Sequence, residues 1–476
     1  MAKFKVRKFI TRNVGTASHL CRYRRRIMFI CSPCFVLIPV YIYVSVALTY
    51  AMKHGMSNIQ PVPLLPTRFI ATGLSFSKDL APHPEKCFWR TELDSGALWN
   101  FIQHIADRRN NPILKPALIA ASVNPSNIPD DRERSIGSAG SCSPDYEILN
   151  LMPDYETFSN QMKNFVMSMH CRDYPLILEP RDVCDHGPLA KTRAPMLLLA
   201  IKTQSANFEN REAIRQTWGR SGRVKGREKE GGLVRRVFLL GMTKDSHTEK
   251  KLRLESRLFG DIIQWDFTDT FFNLTLKDVL FWEWFSRRCP HARFIFKGDD
   301  DVFVRTPAIL DYLQAEEEKT GTATTTKRST QSNKIQFVVG DVIRNAAPLR
   351  SNDTKYYVPK SFYKGLYPTY PGGGGVVYSG SLAHKLFEVS QRVHLFPIDD
   401  VYLGMCLQRL GVPPINHPAF LTFDFPKDEP IDPCANHTIL LVHKRSPTDM
   451  FQLWTETSAP SPECRNTALR VKPGVN

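Results

Sequence analysis

The sequence predicts an α/β fold with a mixed, mainly parallel sheet flanked by helices, and three observations point to it. From Met196 onward, short apolar runs alternate with helical stretches. That order of elements builds parallel strands joined by crossover helices. Charged residues stand directly after several of the runs, where open α/β sheets bind their ligands. Finally, 476 residues with 42% hydrophobic side chains can bury a large core.

The predicted strands are residues 196–202, 236–241, 261–267, 293–298 and 337–342. Upstream, Phe158, Met162, Phe165, Val166 and Met169 recur at helical spacing and predict a helix that packs one face on the α/β domain. The segments 220–236 and 316–333 read as surface loops.

Net charge is +16, and its position decides what it means. Residues 1–26 hold nine basic side chains and no acidic one, and residues 27–52 carry no charge at all. Twenty-six residues make a helix of roughly 39 Å, enough for a hydrocarbon core of about 30 Å. The basic tail stays cytosolic by the positive-inside rule, which predicts a single-pass type II membrane protein with everything after the span lumenal. Nucleic-acid binding is excluded, because a membrane separates the basic tail from the folded part. The expected organisation is a cytosolic tail (1–26), a signal anchor (27–52), a stem (53–86), a helical extension (87–190) and an α/β domain (191–476).

Eight cysteines follow the span: Cys87, Cys142, Cys171, Cys184, Cys289, Cys406, Cys434 and Cys464. An even number in a lumenal domain suits disulfides, and the absence of a CxxC pair argues against structural zinc. The short intervening loop favours Cys171 with Cys184. Asn273, Asn352 and Asn436 head glycosylation sequons.

Asp299, Asp300 and Asp301 stand together between two apolar runs. Three adjacent carboxylates there are either a solvated turn or the holders of a hard cation such as Mn²⁺ or Mg²⁺. Asp399 and Asp400 open a predicted helix, as caps or as a general base. His443 ends an apolar run and is a metal ligand or a structural residue. Gly372 to Gly375 permit close approach to a ligand or form a hinge. Arg211 and Arg215, with Trp218 beyond, grip a nucleotide or brace the fold. Lys202, at the end of the first strand, faces a diphosphate or solvent.

The ordered strings Arg211-Glu212-Ala213-Ile214-Arg215-Gln216-Thr217-Trp218, Phe296 to Phe303, the glycine run and Asp399-Asp400-Val401-Tyr402 resemble the animal β1,3-glycosyltransferases. Lys297-Gly298 and Pro397-Ile398-Asp399-Asp400 resemble the N-acetylglucosaminyl branch and its polylactosamine-extending members. The likeness continues upstream through Phe88-Trp89, Trp99-Asn100, Cys142 to Asp145 and Cys171 to Tyr174, and so covers about residues 87–464. Pro371 before the glycines departs from the family pattern.

The resemblance implies a GT-A-like fold and inverting transfer of GlcNAc from UDP-GlcNAc to the 3-hydroxyl of a terminal galactose, in the Golgi membrane. It further implies Asp301 and His443 as metal ligands, and Asp400 as the base with Asp399 beside it. Lys202, Arg211, Arg215, Asp299, Asp300, Gly373 and Gly374 would line the donor site. The implied partners are a galactose-terminated glycan on glycoprotein or glycolipid and related transferases in homo- or hetero-oligomers. A β1,3-galactosyltransferase using UDP-Gal and an inactive lumenal lectin are the alternatives.

Overall fold

The computed structural model describes residues 68–70, 80–82, 96–110, 142–180, 183–184, 193–324, 336–426, 429 and 432–471. The predicted anchor, most of the predicted stem and Cys87 lie outside these residues. Among the described residues, no helix is long and apolar enough to cross a membrane.

A short antiparallel pair, β1 (Arg68–Ile70) and β2 (Leu80–Pro82), comes first. Helices α1 (Leu98–Asn110) and α2 (Asn160–Ser168) and strand β3 (Leu176–Leu178) lead into the sheet. Its four central strands are β4 (Leu197–Lys202), β6 (Gly232–Met242), β7 (Ile262–Thr268) and β8 (Phe294–Asp299), reached past α3 (Phe208–Gln216), β5 (Gly222–Val224), α4 (Ser246–Phe259) and α5 (Leu274–Arg288). They run parallel in the order β8-β4-β6-β7.

The flanks supply the antiparallel part of the expected mixed sheet, since β3 joins β7 and β5 joins β6 antiparallel. On the other side, β9 (Val302–Val304) and α6 (Thr306–Thr324) precede β10 (Val338–Gly340), β11 (Val342–Ile343), β12 (Tyr370–Pro371) and β13 (Gly375–Ser379). Strand β13 inserts antiparallel between β8 and β10. Helices α7 (Gly380–Ser390) and α8 (Asp399–Leu410) follow, then β14 (Ile415–Asn416), β15 (Phe420–Leu421), β16 (Leu441–His443) and α9 (Pro447–Ser458).

The apolar run of β4 conceals a period of two. Leu198 and Ala200 join the core beneath α5, α7 and α8, while Leu197, Leu199 and Ile201 join the opposite core beneath α3, α6 and α9. Both faces are therefore covered, which is why the strand reads as continuously hydrophobic. The stripe predicted over 158–169 is α2, with Phe165 edge-on to Phe272 and Phe362.

Three expectations are corrected. Residues 232–236 extend β6 and include the buried Arg236, and residues 316–324 continue α6, so neither predicted loop is wholly a loop. The predicted strand 337–342 is split at Asp341 into β10 and β11. Cys171 pairs with Cys142, and Cys184 with Cys289; Cys434 pairs with Cys464 and Cys406 is a buried free thiol. The backbone bond from Asp145 N to Met167 O (2.9 Å) folds residue 142 back toward 171, while β3 carries the chain away extended.

Cys184–Cys289 spans 105 residues, against 29 and 30 for the other two, so it restricts the unfolded chain most. The double variant Cys184→Ser/Cys289→Ser should lose about 2–5 kcal/mol of stability. An unchanged denaturation midpoint would contradict that pairing.

Candidate active site

The register of β4 and β8 brings the site together. Lys202 is the Cα partner of Asp299, and Ala200 that of Lys297. Alternation then points Lys202, Lys297 and Asp299 toward the face covered by α5 and α8. Lys202 Nζ lies 3.0 Å from Asp299 Oδ1 and also donates to Asp399 Oδ2 at the start of α8. Burial pulls its pKa down, but Asp299, Asp399, Asp278 and Asp400 outweigh burial and hold it well above the ordinary lysine value. This lysine is 5% exposed, which excludes the solvent-facing reading.

Asp301 and His443 meet across a second sheet. Strand β16 pairs antiparallel with β9, and His443 stands opposite Val302, so its Nε2 reaches Asp301 Oδ1 at 3.2 Å. His443 Nδ1 lies 3.1 Å from the Thr422 carbonyl. A carbonyl accepts only, so Nδ1 donates and Nε2 is the atom free to ligate. One ligand atom from each of Asp299, Asp301 and His443 falls within 4.8 Å of the others. Burial works against both charged forms in the Asp301–His443 contact, yet the contact wins, lowering Asp301 and raising His443. Two carboxylates and an imidazole suit Mn²⁺, and Mg²⁺ less well.

Asp399 and Asp400 occupy the first turn of α8, but the cap is Ile398 and no side chain caps the helix. The capping reading therefore fails. Asp399 is buried against Lys202, with Lys297 Nζ 3.7 Å away. Although burial raises its pKa, the two lysines together draw it below the usual carboxylate range. Asp400 moves the other way: burial pushes it up, and the adjacent Asp399 adds to that. One carboxylate is thus fixed as an anion while its neighbour is made basic.

The glycine run separates the two clusters. A methyl carbon added at Gly373 would lie 2.7 Å from Asp400 Oδ2, and one at Gly374 would lie 3.1 Å from the His443 ring. Gly374 also has φ of 92°, which only glycine adopts readily. Thr422 clamps the run by donating to the Gly373 carbonyl at 3.0 Å, while its own carbonyl accepts from His443. Nothing in the sequence marked Thr422.

Other expected donor-site residues face elsewhere. Asp300 turns away from its two neighbours and accepts from Asn207 Nδ2 (2.8 Å) and Thr203 Oγ1. Arg211 is wholly buried in a two-pronged pair with Glu255 (2.9 and 2.7 Å). Arg215 pairs with Asp261 and Glu255, and Trp218 packs edge-on against Phe296. This string braces α3 against α4 and β7, which corrects the nucleotide-gripping alternative.

Residues 209–418 match the family model described as Galactosyltransferase. The mouse N-acetyllactosaminide beta-1,3-N-acetylglucosaminyltransferase 2 is 39% identical over 390 residues, covering 80% of this chain and 89% of that protein. Its human counterpart is 38% identical over 385 residues, with the same coverage of both chains. The chain belongs to the β-1,3-N-acetylglucosaminyltransferase family. A further human relative, UDP-GlcNAc:betaGal beta-1,3-N-acetylglucosaminyltransferase 9, is 38% identical over 359 residues, covering 71% of this chain and 84% of that one.

The bracing role of Arg211 in this transferase has a direct test. Arg211→Ala leaves Glu255 with Arg215 and leaves the carbonyls of Gln204 and Ser205 without the Arg211 donors, a change that costs up to about 3–5 kcal/mol in stability. The melting temperature should fall while KM for the donor, measured on folded protein, stays unchanged. A normal melting temperature with a raised KM would return Arg211 to the donor site.

Proposed function

We propose that this transferase moves GlcNAc from UDP-GlcNAc in β1,3 linkage to the terminal galactose of N-acetyllactosamine-type glycans, on a GT-A-like fold. The observation that carries this reading is the placement of a metal-competent cluster and a basic carboxylate on either side of one glycine run. The donor and acceptor named for the relatives agree with it.

Asp299, Asp301 and His443 would hold the divalent cation. Bound there, the ion would neutralise charge on the UDP leaving group. The remaining steps fall to the chain's own residues. Asp400 accepts the proton of the acceptor's 3-hydroxyl as that oxygen bonds to the anomeric carbon and the bond to UDP breaks. An α-linked donor gives a β-linked product in this single displacement, so no protein nucleophile is needed. The raised pKa makes the ionised form of Asp400, the form that takes the proton, a stronger base. Asp399 stays ionised beside Lys202 and keeps the pair oriented. Gly373 and Gly374 leave room for the sugar between the base and His443.

The charge asymmetry around residues 27–52 supports a type II Golgi protein whose catalytic domain is lumenal. The sequon at Asn352 is exposed, which supports glycosylation there, whereas the half-buried Asn273 and Asn436 spend their Nδ2 on the Thr268 carbonyl and on Glu456. Oligomers with related transferases belong to the same reading.

Asp400→Asn keeps the size of the side chain but removes its basicity. We expect kcat to fall by at least the ~10²-fold typical of losing general-base catalysis, with UDP affinity nearly unchanged. Full activity in this variant would place the base elsewhere.

A panel of UDP-sugars tests the donor. UDP-GlcNAc should be used far better than UDP-Gal, and excess chelator should stop transfer. Preference for UDP-Gal would move the chain to the galactosyl reading, and activity in chelator would remove the metal.

A further inference from the structure

Lys297 belongs to the Lys297-Gly298 pair that resembles the N-acetylglucosaminyl branch, yet its ammonium is buried away from any substrate. It is 2% exposed, in the middle of β8, with Ala200 and Val376 as its strand neighbours. Its Nζ donates to Asp278 Oδ2 at 2.5 Å, and Asp278, on the first turns of α5, is 0% exposed. The second oxygen of Asp278 has no hydrogen-bond partner among the described residues.

Such a pair is a poor device for stability. Desolvating two charges costs about as much as their attraction returns, and apolar residues of similar volume often serve equally well. The pair must then be explained by what it holds. Lys297 also faces Asp399, 3.7 Å from Nζ. Asp399 takes its main bond from Lys202, and Asp400 is the next residue on the same turn.

The residue before Asp278 reinforces the arrangement. Lys277 donates to the Thr203 carbonyl at 2.6 Å and pairs with Asp269 at 2.9 Å, which pins the chain immediately after Lys202. The start of α5 therefore fixes both lysines that face Asp399: Lys202 through its neighbour and Lys297 directly.

We propose that Lys297 and Asp278 are positioning residues, which hold Asp399 against Lys202 and thereby aim Asp400 at the glycine run. Without the pair, Asp399 loses the second ammonium that faces it at 3.7 Å and is held by Lys202 alone. Asp399 would shift, and the first turn of α8 would carry Asp400 with it. Neither residue is assigned contact with donor or acceptor. This inference rests on Asp400 being the base.

The test uses the full-length enzyme with whichever UDP-sugar the wild type transfers fastest, so an error in donor assignment does not affect it. Asp278→Leu/Lys297→Met removes both charges together. It should melt within a few degrees of wild type and keep donor KM within about threefold, while kcat falls roughly 10²-fold, the scale of a misplaced catalytic group. A folded double variant with wild-type kcat would overturn the proposal, as would a loss confined to KM.

Should the double variant fail to fold, Asp278→Asn preserves shape and an acceptor for Lys297. Its kcat should fall about tenfold at constant donor KM; wild-type kcat would again overturn the proposal. Asp400→Asn measured alongside separates the two claims. Full activity there sinks the base assignment, whereas an impaired Asp400→Asn beside an unimpaired pair variant sinks only the positioning role.

Discussion

One ammonium group ties the site together. Lys202 ends a central strand, and the parallel register with β8 delivers Asp299 beside it without any loop having to fold precisely. Its second contact, to Asp399, crosses to the helix that carries the basic carboxylate. The cluster able to hold a cation and the cluster able to take a proton are joined through this lysine. Moving either the strand end or the helix start would strain both. Rigid elements thus set the geometry, which is the arrangement that best preserves the separation of catalytic groups.

The cost of that design is a set of buried charges. Lys202, Lys277 and Lys297 lie in the protein interior, compensated by Asp278, Asp269, Asp299 and Asp399. The network tolerates burial only because nearly every member is paired. Its asymmetry also generates chemistry. Asp399 receives both facing lysines and is acidified, while at Asp400, one residue on, burial and the neighbouring anion outweigh the same lysines and raise its pKa. Two adjacent identical side chains acquire opposite acidities from their surroundings alone.

Much of this was legible in the sequence, and the misses share a cause. The alternation of apolar runs marked the central strands, because both faces of such a sheet must be covered. The carboxylate clusters were conspicuous, because unpaired charge between apolar runs needs a reason. Long-range partners were not readable. Arg211 and Arg215 looked available for a ligand until Glu255 and Asp261, more than 40 residues away, were seen to occupy them. Cys171 offered a near partner in sequence, and the chain direction through β3 chose a farther one. Thr422, a single threonine in an irregular stretch, carries no signal until the fold sets it against the glycine run.

The central claim is that Lys202 couples the two clusters, and Lys202→Met tests it most directly. Methionine keeps most of the volume and removes the charge. The measurement is kcat together with UDP–Mn²⁺ affinity on the same folded protein. The account predicts that both fall, because Asp299 and Asp399 lose their common partner at once. A folded variant in which both values match wild type would contradict it.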